Sequence, residues 1–337
     1  MPDQILRRRA SDRPNITSLQ SHILAGEASS PGSTGDFTWI LSALSLAAKA
    51  IAHKVRIARI EDVLGDHGSA NVHGETQQKL DVIANDILMN CLGNRPSVAL
   101  VASEEDDEPT LLRRGEDGGK YCVIFDPLDG SSNLDVGVGV GTIFSILRND
   151  PSEPDAVKTL CQCGSQQVAA GYVLYGSSTV FVLTTGRGVD MFVLNPEIGS
   201  FVLVKSQIRI PATGKIYSVN EANRATFPAG YSRYLDWAHQ NGYSSRYIGS
   251  MVADVHRTLL KGGVFLYPPT KKNPEGKLRL MYEANPIAML MEQAGGKGMT
   301  DGATRIMDVK PTSIHQRTSV ILGSSDEVDA VTRQLAG

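Results

Sequence analysis

No apolar run in the sequence is long enough to cross a bilayer. The longest, residues 40–52, is interrupted by serines and Lys49 and falls short of the roughly 18–20 residues a span requires. Nor does a hydrophobic segment follow Arg7, Arg8 and Arg9, so a secretory leader is not expected and a cytoplasmic location is. Cysteine is scarce. Cys91, Cys122, Cys161 and Cys163 have no zinc-site spacing, which suggests a reducing compartment rather than a disulfide scaffold. An excess of positive charge is also missing: 33 basic and 36 acidic side chains leave a net charge of −3. That gives no electrostatic reason to expect nucleic acid as a partner. There is no internal repeat and no low-complexity linker.

What is present is the composition of a folded chain. Hydrophobic residues make up 41% and charged residues 20% of 337 positions, a size for two domains or one large one. Leu41, Leu44, Ala48, Ile51 and Val55 recur at helical spacing, and Asp36 or Thr38 is placed to cap that helix, which the pattern carries to about Arg59. A Gly/His/Asn loop at 65–74 follows. Leu80, Ile83, Ala84, Ile87 and Leu88 then predict a second amphipathic helix. Strand-like runs at 97–101, 121–125, 142–147, 168–174, 179–183, 190–194 and 201–204, most with glycine turns between them, read as an antiparallel meander. Beyond it come a strand at 216–219, helices at 227–240 and 252–261, and a buried strand at 264–266. A last helix opens with Asn285 as cap and Pro286 behind it, and ends at Gly295 and Gly296. Helices and strands are mixed rather than alternating. The expected class is therefore α+β in layers, not a doubly wound parallel sheet.

The chemistry concentrates in three acidic places. Glu104, Glu105, Asp106 and Asp107 follow one strand, Asp126 and Asp129 follow another, and Glu283 stands before the Asn285 cap. Carboxylates at strand ends suit a hard divalent cation. Glu104 to Asp107 alone would pass for a solvated turn. Asp126-Pro127-Leu128-Asp129-Gly130-Ser131-Ser132 is harder to explain as structure only. Its two carboxylates lie three apart across a proline, and Pro127 lacks a backbone donor, leaving the Leu128 carbonyl free to face a metal. Gly130 permits a left-handed turn whose amides at 130–132 form an anion nest. Metal ligands beside phosphate donors are what metal-assisted phosphate-ester hydrolysis needs.

Phe125-Asp126-Pro127-Leu128-Asp129-Gly130-Ser131-Ser132-Asn133 resembles the signature of the class I fructose-1,6-bisphosphatase family. So do Gly276-Lys277-Leu278-Arg279-Leu280 with Tyr282-Glu283, Arg246-Tyr247-Ile248-Gly249-Ser250-Met251 running on to Arg257, and Ile314-His315-Gln316-Arg317. The resemblance runs from about Ile16 to Leu335, with the motifs in the family's order. It implies a layered α/β/α/β/α sugar phosphatase fold with mixed sheets. Residues 1–205 would form a domain with the metal motifs, and 206–337 a substrate-binding domain. The implied reaction is metal-dependent hydrolysis of the 1-phosphate of fructose 1,6-bisphosphate to fructose 6-phosphate and phosphate, in gluconeogenesis or the Calvin cycle. Two to three Mg²⁺ ions per subunit, with Mn²⁺ or Zn²⁺ as alternatives, would be held by Glu75, Glu104, Glu105, Asp126, the Leu128 carbonyl, Asp129 and Glu283.

Further roles come from the same resemblance. Asp81 and Glu105 would take the proton of the attacking water. Arg279 and the backbone of Gly130, Ser131 and Ser132 would hold the 1-phosphate, and Lys277 and the Met251 backbone the sugar. Asn220, Tyr247, Tyr267 and a neighbouring subunit's copy of Arg246 would hold the 6-phosphate in a homotetramer. Asn223 departs from the tyrosine that animal members often carry there. An inhibitory AMP seat would use Thr34, Gly35, Asp36, Phe37, Thr38, Lys120, Tyr121 and Arg148, with Asp36 in place of the more common Glu. Cys161 and Cys163 lack the long insertion that carries regulatory cysteines in chloroplast members, and a disulfide across one residue would be strained. They read as two loop thiols. Hydrolysis of sedoheptulose 1,7-bisphosphate, alone or as a second activity, stays open. An inositol-monophosphatase-like enzyme is opposed by Tyr247, Tyr267 and Lys277, and a non-catalytic sensor by the intact carboxylates.

Overall fold

The computed structural model describes residues 16–28, 35–70, 76–113 and 118–337; Thr34 and Glu75 lie outside them. Helices α1 (Leu19–Ala28), α2 (Asp36–Ile57) and α3 (Lys79–Gly93) come first, with a ribbon of β1 (Asp66–Ala70) and β2 (Thr76–Gln78) before α3. Then follow β3 (Val98–Ser103), β4 (Thr110–Leu111), β5 (Tyr121–Asp129), β6 (Val140–Arg148), a short α4 (Ala156–Leu160), β7 (Ala169–Tyr175), β8 (Thr179–Thr184), β9 (Val189–Asn195) and β10 (Ser200–Lys205). These strands form one sheet in the order β10-β9-β8-β7-β6-β5-β3-β4, antiparallel except where β3 lies parallel to β5.

The second half contributes β11 (Ile216–Ser218), α5 (Ala229–Gln240), β12 (Ser244–Ser245), α6 (Met251–Lys261), β13 (Val264–Tyr267), β14 (Leu278–Arg279), α7 (Asn285–Gln293), β15 (Lys297–Met299), β16 (Arg317–Thr318), β17 (Val320–Gly323) and α8 (Ser325–Ala336). Its sheet has the order β12-β11-β13-β17-β15 and mixes parallel with antiparallel pairs. The period of two in the strands explains the layers. Val123, Phe125, Phe144 and Phe181 face α2 and α3, where Ile40, Leu44, Ala48 and Leu88 meet them. The alternate residues Ile143, Tyr172 and Val182 face α6 and α7. On the far side of the small sheet, Tyr217, Leu266 and Ile321 pack on Tyr234 and Val331 of α5 and α8. The result is the α/β/α/β/α sandwich with mixed sheets.

Three local expectations are corrected. Gly35, with φ 76°, is the residue that enters α2, and neither Asp36 nor Thr38 caps it with a side chain. Asp36 turns instead to Lys120, while Glu27 of α1 accepts the Thr38 N–H at 3.2 Å. Asn285 is not a cap either. A wide turn over Leu280–Ala284 runs straight into α7, leaving no free helix start. Residues 66–70 of the expected 65–74 loop form β1, because β2 offers them a partner.

Candidate active site

β5 does not stop at Phe125; it continues buried to Asp129. In a regular strand, residues three apart point to opposite faces. Here Asp126 pairs with Ile143 while Asp129 pairs with Gly141, so β5 carries one more residue than β6 across this stretch. That bulge turns both carboxylates to one side. Its middle is tied down: the Pro127 carbonyl accepts the Thr142 hydroxyl at 2.8 Å, and the Leu128 N–H donates to Asp126 Oδ1 at 2.9 Å.

Carboxylate oxygens of Asp126, Asp129 and Glu283 come within 4.8 Å of one another, and all three side chains are buried. Glu283 comes from the wide turn before α7, and its Oε2 accepts the Arg279 N–H at 2.5 Å. Asp129 sits on the start of α6, accepting the Ser250 hydroxyl at 2.7 Å and the N–H groups of Val252 at 2.8 Å and Met251 at 3.2 Å. The helix dipole favours an anion there. Glu104, also buried, meets the Arg279 guanidinium at 3.1 Å. Burial and then mutual repulsion push the Asp126 carboxyl well above its usual range, and burial and then Glu104 push Glu283 up to about 8. Four buried carboxylates against the guanidinium of Arg279 leave excess negative charge that is costly unless a cation shares the site. This donor set fits a divalent metal ion.

Gly130 follows at φ 75° and starts a short turn over Ser131–Val136. A Cβ at Gly130 would lie 2.6 Å from the Ser250 Cβ, so close approach of α6 requires glycine there. Asp126, Asp129, Gly130, Ser131 and Ser132 line one cleft of about 610 Å³ together with Asp81, Glu104, Glu105, Leu128 and Glu283. Asp81 also belongs to a helix start. Its Oδ2 accepts the Gln78 N–H at 2.9 Å and so closes the first turn of α3. Burial raises its carboxyl to about 6, against hydrogen bonds from Gln78 and Ser131. Glu105 is half-buried, just past the end of β3.

Tyr247, Met251, Tyr267, Lys277 and Arg279 line the same cleft. The Met251 N–H is given to Asp129, and Met251 is the first residue of α6. Asn220 and Arg246 are not among the lining residues. Asn220 Oδ1 accepts the Ala222 N–H at 3.1 Å, and Arg246 is exposed, with its guanidinium on the Ser245 carbonyl. The motif reading assigned no role to Lys272, Arg317 or Asp254, which also line the cleft. Arg317 and Asp254 stood inside quoted motifs; Lys272 had no signal beyond its charge. Asp254 accepts the N–H groups of Ile248 at 3.0 Å and Gly249 at 3.1 Å, holding the segment that carries Tyr247.

The residues assigned to the AMP seat, apart from Thr34, gather at the start of α2. Lys120 pairs with Asp36, the Phe37 and Tyr121 rings are 5.9 Å apart, and the Arg148 guanidinium lies 5.8 Å from the Tyr121 ring centre. All four cysteines are free, and burial pushes the Cys122 thiol up to about 12. Among the described residues no helix is long and apolar enough to cross a membrane.

Comparison with known proteins fits this geometry. A model of the fructose-1-6-bisphosphatase N-terminal domain matches residues 17–206, and one of the C-terminal domain matches 210–336. The chain belongs to the fructose-1,6-bisphosphatase family. It is 49% identical over 321 residues to the class 1 fructose-1,6-bisphosphatase of Chlorobium luteolum, covering 93% of this chain and 96% of that one. It is 50% identical over 312 residues to the class 1 fructose-1,6-bisphosphatase of Persephonella marina, covering 92% and 96%. The crystal structure of Leishmania major fructose-1,6-bisphosphatase in holo form superposes with a TM-score of 0.90 at 41% identity, over 96% of this chain and all of that one. The T-state crystal structure of the same Leishmania protein gives 0.85 at 40% identity, over 95% and 99%.

Proposed function

We propose that this chain hydrolyses fructose 1,6-bisphosphate at its 1-phosphate, giving fructose 6-phosphate and inorganic phosphate. One observation carries the reading: the buried carboxylates Asp126, Asp129 and Glu283 share a cleft with the glycine-started turn at 130–132. Glu75, Glu104, Glu105, Asp126, the Leu128 carbonyl, Asp129 and Glu283 would hold two to three Mg²⁺ ions, with Mn²⁺ or Zn²⁺ as substitutes. Such ions, when bound, neutralise phosphate charge and lower the pKa of water.

The chain's own groups do the rest. The amides of Gly130, Ser131 and Ser132 and the Arg279 guanidinium hold the phosphoryl oxygens, where charge gathers as the ester bond breaks. Asp81 and Glu105 accept the proton of the water that attacks phosphorus. The bond from phosphorus to the C1 oxygen breaks, and that oxygen leaves with the sugar and is protonated. Lys277 and Met251 orient the sugar. Tyr247 and Tyr267, with Asn220 and the Arg246 of a neighbouring subunit in a homotetramer, hold the distal phosphate. Residues 1–205 and 206–337 divide the work as metal-bearing and substrate-binding domains. AMP bound at Thr34–Thr38, Lys120, Tyr121 and Arg148 inhibits.

Phosphorus NMR of the reaction tests the regiochemistry. Fructose 6-phosphate should be the sole sugar product, and in ¹⁸O-water the label should enter the released phosphate. Accumulation of fructose 1-phosphate, or label in the sugar, would overturn the reading.

A further inference from the structure

Neither Thr142 nor Tyr175 belongs to any motif quoted above, yet both are buried beside the site, 2% and 4% exposed. Thr142 lies on β6 opposite Val173 of β7, and Tyr175 is two residues further along β7. This is the diagonal relation that an aromatic side chain can bridge on one face of a sheet. Their hydroxyl oxygens are 2.8 Å apart, and Thr142 Oγ1 is also 2.8 Å from the Pro127 carbonyl.

The proton inventory fixes the direction of this chain. A carbonyl only accepts, so the single Thr142 proton goes to Pro127. Thr142 must then accept the Tyr175 O–H. Burial pushes the Tyr175 phenol up, so that proton is in place. The Pro127 carbonyl and the Leu128 N–H belong to one planar peptide unit. Turning the carbonyl toward Thr142 therefore aims the N–H at the other end, and that N–H donates to Asp126 Oδ1 at 2.9 Å. A continuous line of hydrogen bonds runs from the Tyr175 phenol through Thr142 and the 127–128 peptide to the Asp126 carboxylate. Each bond polarises the next.

We infer that Thr142 and Tyr175 are positioning residues of the metal centre, setting the bulge of β5 and the rotation of the Asp126 carboxylate through the 127–128 peptide. The inference rests on the metal-binding reading of Asp126, Asp129 and Glu283. Outer partners of metal ligands typically contribute 10–100-fold to metal affinity. Thr142→Val keeps the shape, removes the donor to Pro127 and leaves the Tyr175 hydroxyl without its acceptor. Tyr175→Phe removes only the outer end. Thr142→Ser keeps the relay.

The test is Mn²⁺ binding to the full chain, followed by electron paramagnetic resonance without substrate, alongside the melting temperature of the metal-free proteins. Mn²⁺ affinity should fall about 10-fold in Thr142→Val and about 3-fold in Tyr175→Phe, and stay within about 2-fold of wild type in Thr142→Ser. Should Thr142→Val not fold, Tyr175→Phe and Thr142→Ser still decide. Wild-type affinity in Tyr175→Phe and Thr142→Val would overturn the relay. So would an equal loss in Thr142→Ser, which would mark a packing effect. A wild type that binds no Mn²⁺ would overturn the metal reading itself, and the relay with it.

Discussion

Asp81 both holds a helix start and faces the cleft. One oxygen closes the first turn of α3 through Gln78, and the group lines the cleft with Glu105. Asp81→Asn keeps an oxygen that can accept the Gln78 N–H, so the helix start survives while the base is lost. Glu105→Gln likewise keeps shape and removes charge. Each substitution should lower kcat by about 10²–10⁴-fold, the usual cost of removing a general base, with KM for fructose 1,6-bisphosphate little changed. Steady-state kinetics at saturating Mg²⁺ would check this. Near-normal kcat in either variant would remove that residue from the proton-accepting role. Asp81 was legible only through its motif, because an acidic residue in the first turn of a helix is ordinary on its own.

At the scale of elements, the start of α2 holds the region assigned to AMP, and the chain's own acids already occupy it. Asp36 pairs with Lys120, and Glu27 takes the Thr38 N–H. If AMP binds here as proposed, its phosphate would have to displace them. Asp36→Asn should therefore lower the AMP concentration for half-inhibition by about 2–5-fold, the range of a half-exposed ion pair. Lys120→Ala with Tyr121→Phe should raise it at least about 10-fold, a typical coupling. Weaker inhibition in Asp36→Asn would make Asp36 a reader of AMP rather than its competitor. Periodicity in the sequence located α2, α3 and the meander because each buries one face at a fixed repeat. It could not locate the end of β5. Asp-Pro-x-Asp looks like a surface turn, and it is buried in a strand only because β6 leaves one residue unmatched and α6 offers three donors to Asp129. Thr142 and Tyr175 were invisible for a related reason: an uncharged hydroxyl in a strand has no pattern until its neighbours are known.

For the molecule as a whole, the cleft is assembled from both halves of the chain. Asp126, Asp129 and the turn at 130–132 come from the large sheet, and Glu283, Arg279 and the start of α6 come from the segment after it. The Ser250 hydroxyl on Asp129 and the Arg279 guanidinium on Glu104 tie one half to the other inside the site. The large-sheet half brings three of the four buried carboxylates, Glu104, Asp126 and Asp129, and the segment after it brings Glu283 together with Arg279. The central claim is that this shared charge exists to hold divalent metal for phosphate-ester hydrolysis. The most direct measurement is phosphate release from fructose 1,6-bisphosphate by the wild type and by Glu283→Gln, after thorough chelation and again after Mg²⁺ is restored. The wild type should fall silent on chelation and recover with Mg²⁺, and Glu283→Gln should stay at least about 100-fold below it, since losing a ligand costs no less than losing a ligand's partner. Undiminished turnover in the chelated wild type, or full activity in Glu283→Gln, would contradict the account.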